Sequence, residues 1–260
     1  MISHTLDRHG SQKLWFPYRK AQQGSCLRLF CLHYAGGSAS LFRHWQDALP
    51  PGVEVCAIQL PGRESRISET PLSQMEEVVQ VLAQVLAPDL DRPFALFGYS
   101  MGALMSFELA RQLRRESLPL PVHLFVSAFR APQLPYRLPH LHALEHDLFM
   151  QSLRRLNSIP QELMANEEFL QHIVPLLRAD FALCETHQYQ AESPLACSIS
   201  AFGGLADDRV TRQELAAWKA QTKGGFVLQM FPGDHFFLHS TQKQLLRVIS
   251  EMLARFIDLL

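Results

Sequence analysis

The chain has 260 residues, 47% of them hydrophobic and 19% charged, with a formal net charge of −1. That length suits one large α/β domain or two small ones, and the near-neutral balance gives no electrostatic argument for nucleic acid or an anionic membrane as partner. No apolar run approaches the ~18 residues of a membrane span, and the opening stretch MISHTLDRHGSQKLWF has neither the apolar segment nor the cleavage pattern of a secretory signal, so a cytoplasmic location is expected.

In chain order, KLWFPYR (13–19) reads as an edge strand. Six apolar runs then recur: CLRLFCLHY (26–34), VEVCAIQL (53–60), PFALFGY (93–99), VHLFVSAF (122–129), CSISAFGG (197–204) and FVLQMFPG (226–233). Several are apolar almost throughout, as expected of strands covered on both faces. Helical spacing lies between many of them. In 72–87, Leu72, Met75, Val78, Val79, Leu82, Val85 and Leu86 recur at three and four residues, and 101–115 repeats the pattern with Met101, Leu104, Met105, Leu109 and Leu113. TQKQLLRVISEMLARFIDLL closes the chain as an amphipathic helix. This alternation predicts an α/β fold, a mainly parallel sheet flanked by helices.

One segment departs from it. From about 130 to 190 no strand-like run occurs; the stretch begins proline-rich, RAPQLPYRLP, and continues helically, as in NEEFLQHIVPLLRADFALCE. It reads as a helical insertion in a single domain spanning 1–260, placed after the strand that ends in GYS, and so as a lid. The five cysteines, Cys26, Cys31, Cys56, Cys184 and Cys197, are odd in number and include no CxxC, which points to free thiols in a reducing compartment.

The stretch FALFGYSMGAL (94–104) contains G-x-S-x-G at 98–102. A strand precedes it and an amphipathic helix follows, the context of a nucleophile elbow: the serine is held in a strained turn and the flanking glycines relieve crowding. Ser100 is therefore the candidate nucleophile. A serine hydroxyl needs a base, and on this architecture an acid and a histidine should follow, each just past a strand. His235 follows the last apolar run, and Asp207 and Asp208 follow the one before it. Asp207 lies nearer the strand end and is favoured, with Asp208 open. Asp234 adjoins His235 and reads as a turn residue. His33 reads as a wall of the site or a structural histidine, and His140, His142, His146 and His172 of the insertion as surface or packing residues. An oxyanion needs preorganised N–H donors. One is expected from the backbone of Met101, which follows the nucleophile. The other is expected from the glycine pair and helix start of CLHYAGGSAS (31–40), at Ala35, with Gly36 open.

Together, LFCLHYAGGSAS, IQLPGRESR, FALFGYSMGAL, AFGGLADDRV with LAAWK downstream, and FPGDHFFL resemble the type II thioesterases, the stand-alone editing enzymes of nonribosomal peptide and polyketide assembly lines. The matching stretches run from 29 to 238. Two positions depart from that family: Asp208 stands where proline often follows the acid, and His33 where proline often opens the oxyanion stretch. The resemblance implies an α/β-hydrolase fold with a helical lid and a Ser-His-Asp triad. It implies hydrolysis of acyl groups from the phosphopantetheine arm of carrier proteins, with no cofactor or metal. Relatives in that family also release medium-chain fatty acids. A general carboxylesterase or lipase, or an acyltransferase, would use the same residues. Leu134, Phe149, Leu153 and Phe181 are expected to line the acyl chamber, and Arg154, Arg155 or Arg178 to meet an acidic carrier. The expected state is a monomer, its final helix packed on the sheet.

Overall fold

The computed structural model describes residues 8–137, 139–156 and 162–258. In chain order the elements are α1 (Arg8–Trp15), β1 (Leu27–Leu32), β2 (Val53–Ala57), α2 (Met75–Leu86), β3 (Phe94–Tyr99), α3 (Met101–Arg115) and β4 (His123–Ser127). Then follow α4 (His146–Arg155), α5 (Glu167–Glu185), β5 (Ser198–Gly204), α6 (Arg212–Ala216), β6 (Phe226–Phe231), α7 (Phe237–Ser240) and α8 (Gln242–Ile257). The strands form one sheet in the order β2-β1-β3-β4-β5-β6, and all five neighbouring pairs are parallel. All six predicted runs supply a strand.

The alternation of side chains explains why the runs are apolar on both faces. Phe30 and Leu32 of β1, with Phe94 and Leu96 of β3, face the layer that holds Val78 and Leu82 of α2 and Leu104 and Leu109 of α3. Their neighbours Leu29, Cys31, Ala95 and Phe97 face the opposite layer, closed by Leu245, Ile249 and Leu253 of α8. Each leucine, isoleucine, valine and phenylalanine among them, once removed from water, contributes about 1.5–3 kcal/mol. The final helix therefore packs on the sheet, as its amphipathic pattern suggested; its last two residues lie outside the described ones.

The expected edge strand at 13–19 is a correction. Residues 13–15 end α1, and the chain then turns. Trp15 and Phe16, adjacent in sequence, are both buried in the same layer, which a period-two strand would forbid. Pro17 supplies no N–H for a ladder. Among the described residues one backbone bond joins this segment to the chain beyond β2, the Gln59 N–H donating to the Trp15 carbonyl (2.8 Å). The glycine-rich loop after β1 also leads into a short 3₁₀ turn (Ala39–Phe42), not an α-helix, and Ser38 makes no capping bond.

Between β4 and β5 the described residues hold α4, a short 3₁₀ turn (Leu163–Ala165) and α5, with no strand of the sheet; 138 and 157–161 of the expected insertion lie outside them. The insertion has its own small core, in which Phe149 and Leu153 of α4 meet Val174 and Leu177 of α5. Asn166 caps α5 by accepting the Phe169 N–H (2.9 Å). No helix among the described residues is long and apolar enough to cross a membrane. All five cysteines are free thiols.

Because this core is separate from the two faces of the sheet, Phe149→Ala should loosen the insertion first. Amide exchange should accelerate across α4 and the first half of α5 while β1 and β3 stay protected; equal acceleration in the strands would show that the insertion is not an independent unit.

Candidate active site

Ser100 sits between the end of β3 and the first residue of α3, with φ 52 and ψ −115. For a residue with a Cβ this is strained backbone, costing on the order of 1–3 kcal/mol. Backbone bonds hold it: the Ser100 N–H donates to the Ser127 carbonyl (2.7 Å), and the Ser100 carbonyl accepts the Ala103 N–H (2.8 Å). The flanking glycines are required by space. A Cβ on Gly98 would lie 2.0 Å from the Gly102 carbonyl oxygen, and one on Gly102 would lie 2.2 Å from the Leu32 carbonyl oxygen.

His235 lies in the loop after β6 and Asp207 in the loop after β5, both at the carboxyl edge of the sheet. The His235 Nε2 is 3.1 Å from the Ser100 Oγ, and the His235 Nδ1 is 3.0 Å from the Asp207 Oδ2. The Asp207 carboxylate is fully enclosed. Its second oxygen accepts the N–H groups of Arg209 (2.9 Å) and Val210 (3.2 Å), which orients it toward the imidazole. Asp208 is exposed and does not join this chain of contacts. Asp234 accepts the Phe236 N–H (2.8 Å), a turn-forming bond. Buried Tyr99 donates its hydroxyl to the His235 carbonyl (2.7 Å), tying the histidine loop to β3.

Ala35 and Met101 line one cavity with Ser100 and His235. The Met101 amide belongs to the first turn of α3, where no intrahelical acceptor exists. Among the described residues no acceptor lies on the Ala35 amide. The Gly36 amide, the open alternative, is occupied: it donates to the Asp180 Oδ2 at 2.7 Å.

The cavity has a volume of about 160 Å³, and Phe129, Tyr136 and Phe181 supply much of its apolar wall. Of the four expected liners only Phe181 reaches it. Phe149 and Leu153 are consumed by the insertion's own core, and Leu134 packs against the main core. Arg130 and Arg209 also line the cavity, and neither was singled out from sequence. Arg209 donates to the Leu156 carbonyl and lies 5.2 Å from the Phe236 ring, so it spans the acid loop and the insertion. Arg154 and Arg155 are exposed, whereas Arg178 is engaged, donating to the His142 carbonyl (2.8 Å) and lying over Phe149 (4.2 Å).

His33 is 1% exposed. Burial, and then the charge of Arg63, push its pKa down to about 3, so it is neutral at physiological pH. Its Nδ1–H donates to the Tyr34 carbonyl (2.9 Å), and it takes no part in the Ser100 contacts. Among the described residues, His140, His142 and Glu185 form the one group with the donors and spacing for a metal ion. The Glu185 carboxylate is already occupied. It accepts the N–H groups of Leu141 and His142 (2.9 Å each), the Tyr136 hydroxyl and the His142 ring, and so reads as a clamp on the 136–142 segment.

One further feature was not read from sequence. Arg63, within the LPGRESR stretch, makes a two-pronged ion pair with Asp180 of α5, both bonds at 2.9 Å. Both side chains are buried. The available signal was a lone aspartate among Leu176, Leu177 and Leu183 on the apolar face of a predicted helix.

The thioesterase domain family matches residues 27–253. The gramicidin S biosynthesis protein GrsT of Aneurinibacillus migulanus is 45% identical over 239 residues, covering 92% of this chain and 93% of that protein. The linear gramicidin dehydrogenase LgrE of Brevibacillus parabrevis is 44% identical, covering 96% of each. Among solved structures, the type II thioesterase BorB from the borrelidin biosynthetic cluster superposes with a TM-score of 0.81 at 35% identity, covering 90% of this chain and 95% of that one.

Two outcomes follow from the geometry. Gly102→Ala should destabilise the fold by at least about 3 kcal/mol, because the added carbon meets backbone that cannot step aside; chemical denaturation measures it. His33 binds a proton near its ordinary 6.5 when unfolded and only near 3 when folded, so it contributes stability above pH 6.5 that is lost as pH falls toward 3. His33→Gln should flatten part of that acid decline in pH-dependent denaturation curves.

Proposed function

This chain belongs to the thioesterase domain family, and we propose that it is a type II enzyme that hydrolyses acyl thioesters from the phosphopantetheine arm of carrier proteins, clearing stalled acyl groups in nonribosomal peptide or polyketide biosynthesis. The observation that carries this reading is the line from Asp207 through His235 to Ser100, opening into a cavity beside two amides without acceptors.

In this reading His235 takes the Ser100 proton through Nε2 as the hydroxyl oxygen attacks the thioester carbonyl. Asp207, on Nδ1, holds the imidazole in the required tautomer and stabilises its charged form. The N–H groups of Ala35 and Met101 donate to the oxyanion, each such donor contributing about 2.7–4 kcal/mol to the barrier reduction. The thiolate leaves as the carbonyl reforms; an ordinary thiol has a pKa near ~8.5 and needs less protonation than an amine. His235 passes its proton to the departing thiolate; water then loses a proton to the freed imidazole as it attacks the acyl-Ser100 ester, and the acid departs as that proton returns to the Ser100 oxygen. Substrate and water balance the reaction, with no cofactor. The acyl group would lie along Phe129, Tyr136 and Phe181, under an insertion that acts as a lid. Exposed Arg154 and Arg155 would face an acidic carrier; Arg178, already engaged, is set aside. The protein would act as a cytoplasmic monomer.

The dehydrogenase in the name of LgrE suggests hydride transfer. A dinucleotide fingerprint would place G-x-G-x-x-G after an early strand. The stretch after β1, HYAGGSAS, has another spacing, and hydrolysis is the reading the triad geometry favours.

Mass spectrometry of acyl-loaded carrier proteins tests it directly. Wild-type enzyme should strip a range of small acyl groups, and Ser100→Ala should strip none. Retained turnover in that variant would sink the mechanism. Asp207→Asn should lower kcat by on the order of 10⁴, while Asp208→Asn should stay near the wild-type rate; the reverse would exchange the two aspartates. Reversing the charge of Arg154 and Arg155 should raise KM for carrier-bound substrate and leave a small thioester unaffected. Equal effects on both substrates would count against docking there.

A further inference from the structure

The Tyr34–Gly37 segment is a β-turn. The Gly37 N–H donates to the Tyr34 carbonyl (2.9 Å), and Gly36, the third residue, has φ 76, the conformation that suits glycine at that position. Such a turn leaves the N–H groups of its two central residues without an internal partner. Here the second central amide, Gly36, points at the Asp180 Oδ2 (2.7 Å). The first, Ala35, has no acceptor among the described residues and lines the cavity with Ser100.

Asp180 is itself fixed. Arg63 grips it with two bonds of 2.9 Å. The same guanidinium also donates to the Gly37 carbonyl (3.2 Å) and, through Nε, to the Pro61 carbonyl (3.2 Å). Both ends of the turn's second half are thereby held from one side, Gly36 through its N–H and Gly37 through its carbonyl. One turn earlier on α5, Leu177 fills the space beside Gly36: a Cβ there would lie 2.7 Å from it.

We propose that Arg63 and Asp180 are positioning residues for acyl transfer: by binding the Gly36 amide and the Gly37 carbonyl, they set the plane of the turn that aims the Ala35 N–H at the oxyanion. The proposal rests on the acyl-transfer reading above.

The charge pattern agrees. A lone buried carboxylate this close would oppose an oxyanion, and the two-pronged pair cancels it. A buried ion pair is a weak source of stability compared with apolar residues of the same volume, yet this one lies against the loop that carries the oxyanion donor. Because Asp180 belongs to α5, the helical insertion shapes the catalytic loop as well as covering the cavity. The oxyanion donor is therefore in place only with α5 seated on the turn.

The test uses the full-length enzyme, a small thioester such as butyryl-CoA, and two variants. Asp180→Asn keeps the shape and an acceptor but loses the charge. The pair Arg63→Met with Asp180→Leu removes the bond to Gly36 without leaving a buried charge. For the pair, kcat should fall by on the order of 10²-fold, the scale of losing one oxyanion donor, with KM little changed. Affinity for a trifluoromethyl ketone substrate analogue, which becomes an oxyanion adduct, should fall in parallel. Affinity for an inert thioether analogue should hold, as should the melting temperature to within a few degrees. Asp180→Asn should show the same split at smaller size, and it decides the matter by itself where the pair does not fold. Unchanged kcat in a folded variant overturns the proposal. So does a fall in kcat matched by equal losses of thioether affinity and melting temperature, which marks a purely structural pair. The small thioester keeps this separate from carrier recognition. Inactivity toward carriers alone would sink the proposed substrate and leave the positioning role standing. Ser100→Ala as active as wild type would instead remove the site itself.

Discussion

A serine held at φ 52 is the constraint on which the rest of the site depends. The strain has no local remedy, since the residue has a Cβ and must expose its hydroxyl. It persists because the central strand β3 and the helix α3 are both anchored: β3 by ladders to β1 and β4, α3 by its apolar face. The turn is so tight that Gly98 nearly touches the Gly102 carbonyl, and Gly102 nearly touches the end of β1. The close pass of β1 also brings the Ala35 loop beside Ser100. The strained turn and the placement of the Ala35 loop are thus two results of one backbone contact.

The parallel sheet supplies the convergence. When strands run the same way, their following loops open on one edge, so residues 35, 100, 207 and 235, far apart in sequence, share one rim. Each loop then has its own fastening. Asp207 is turned by the amides of Arg209 and Val210, and the His235 loop is tied to β3 through the Tyr99 hydroxyl. The Ala35 loop is tied to α5 through Asp180. None of these fastenings involves the Ser100 Oγ or the His235 Nε2, and each removes a freedom that the loop it holds would otherwise have.

The helical insertion divides its labour. Part of its apolar content closes a small core of its own around Phe149 and Leu153. Phe181 faces the cavity, and Asp180, its neighbour in sequence, turns the other way to meet Arg63. One turn of α5 therefore meets both the cavity and the Ala35 loop. Helical periodicity allows this, because adjacent residues project about 100° apart.

The strands, the main helices, the elbow serine and the late histidine were legible because their signals are local: apolar runs, three-and-four spacing, glycines flanking a serine, loops just past strands. The failures were of two kinds. At 13–19 the apolar residues looked strand-like, but Trp15 and Phe16 bury together against one layer, which only their tertiary neighbours decide. In the insertion, Phe149 and Leu153 were apolar as expected, yet what an apolar side chain faces depends on which helix lies opposite. Local signals sufficed for the succession of strands and helices along the chain and for Ser100 and His235 as candidates, and they narrowed the acid to Asp207 or Asp208 and the second amide to Ala35 or Gly36. Tertiary contacts alone separate the members of each pair by direction. Asp207 faces the imidazole while Asp208 meets solvent, and Gly36 gives its N–H to Asp180 while Ala35 keeps its own for the cavity. The physical reason is the same in both cases: neighbouring residues carry the same groups, and what separates them is direction, which is set by contacts from elsewhere in the chain.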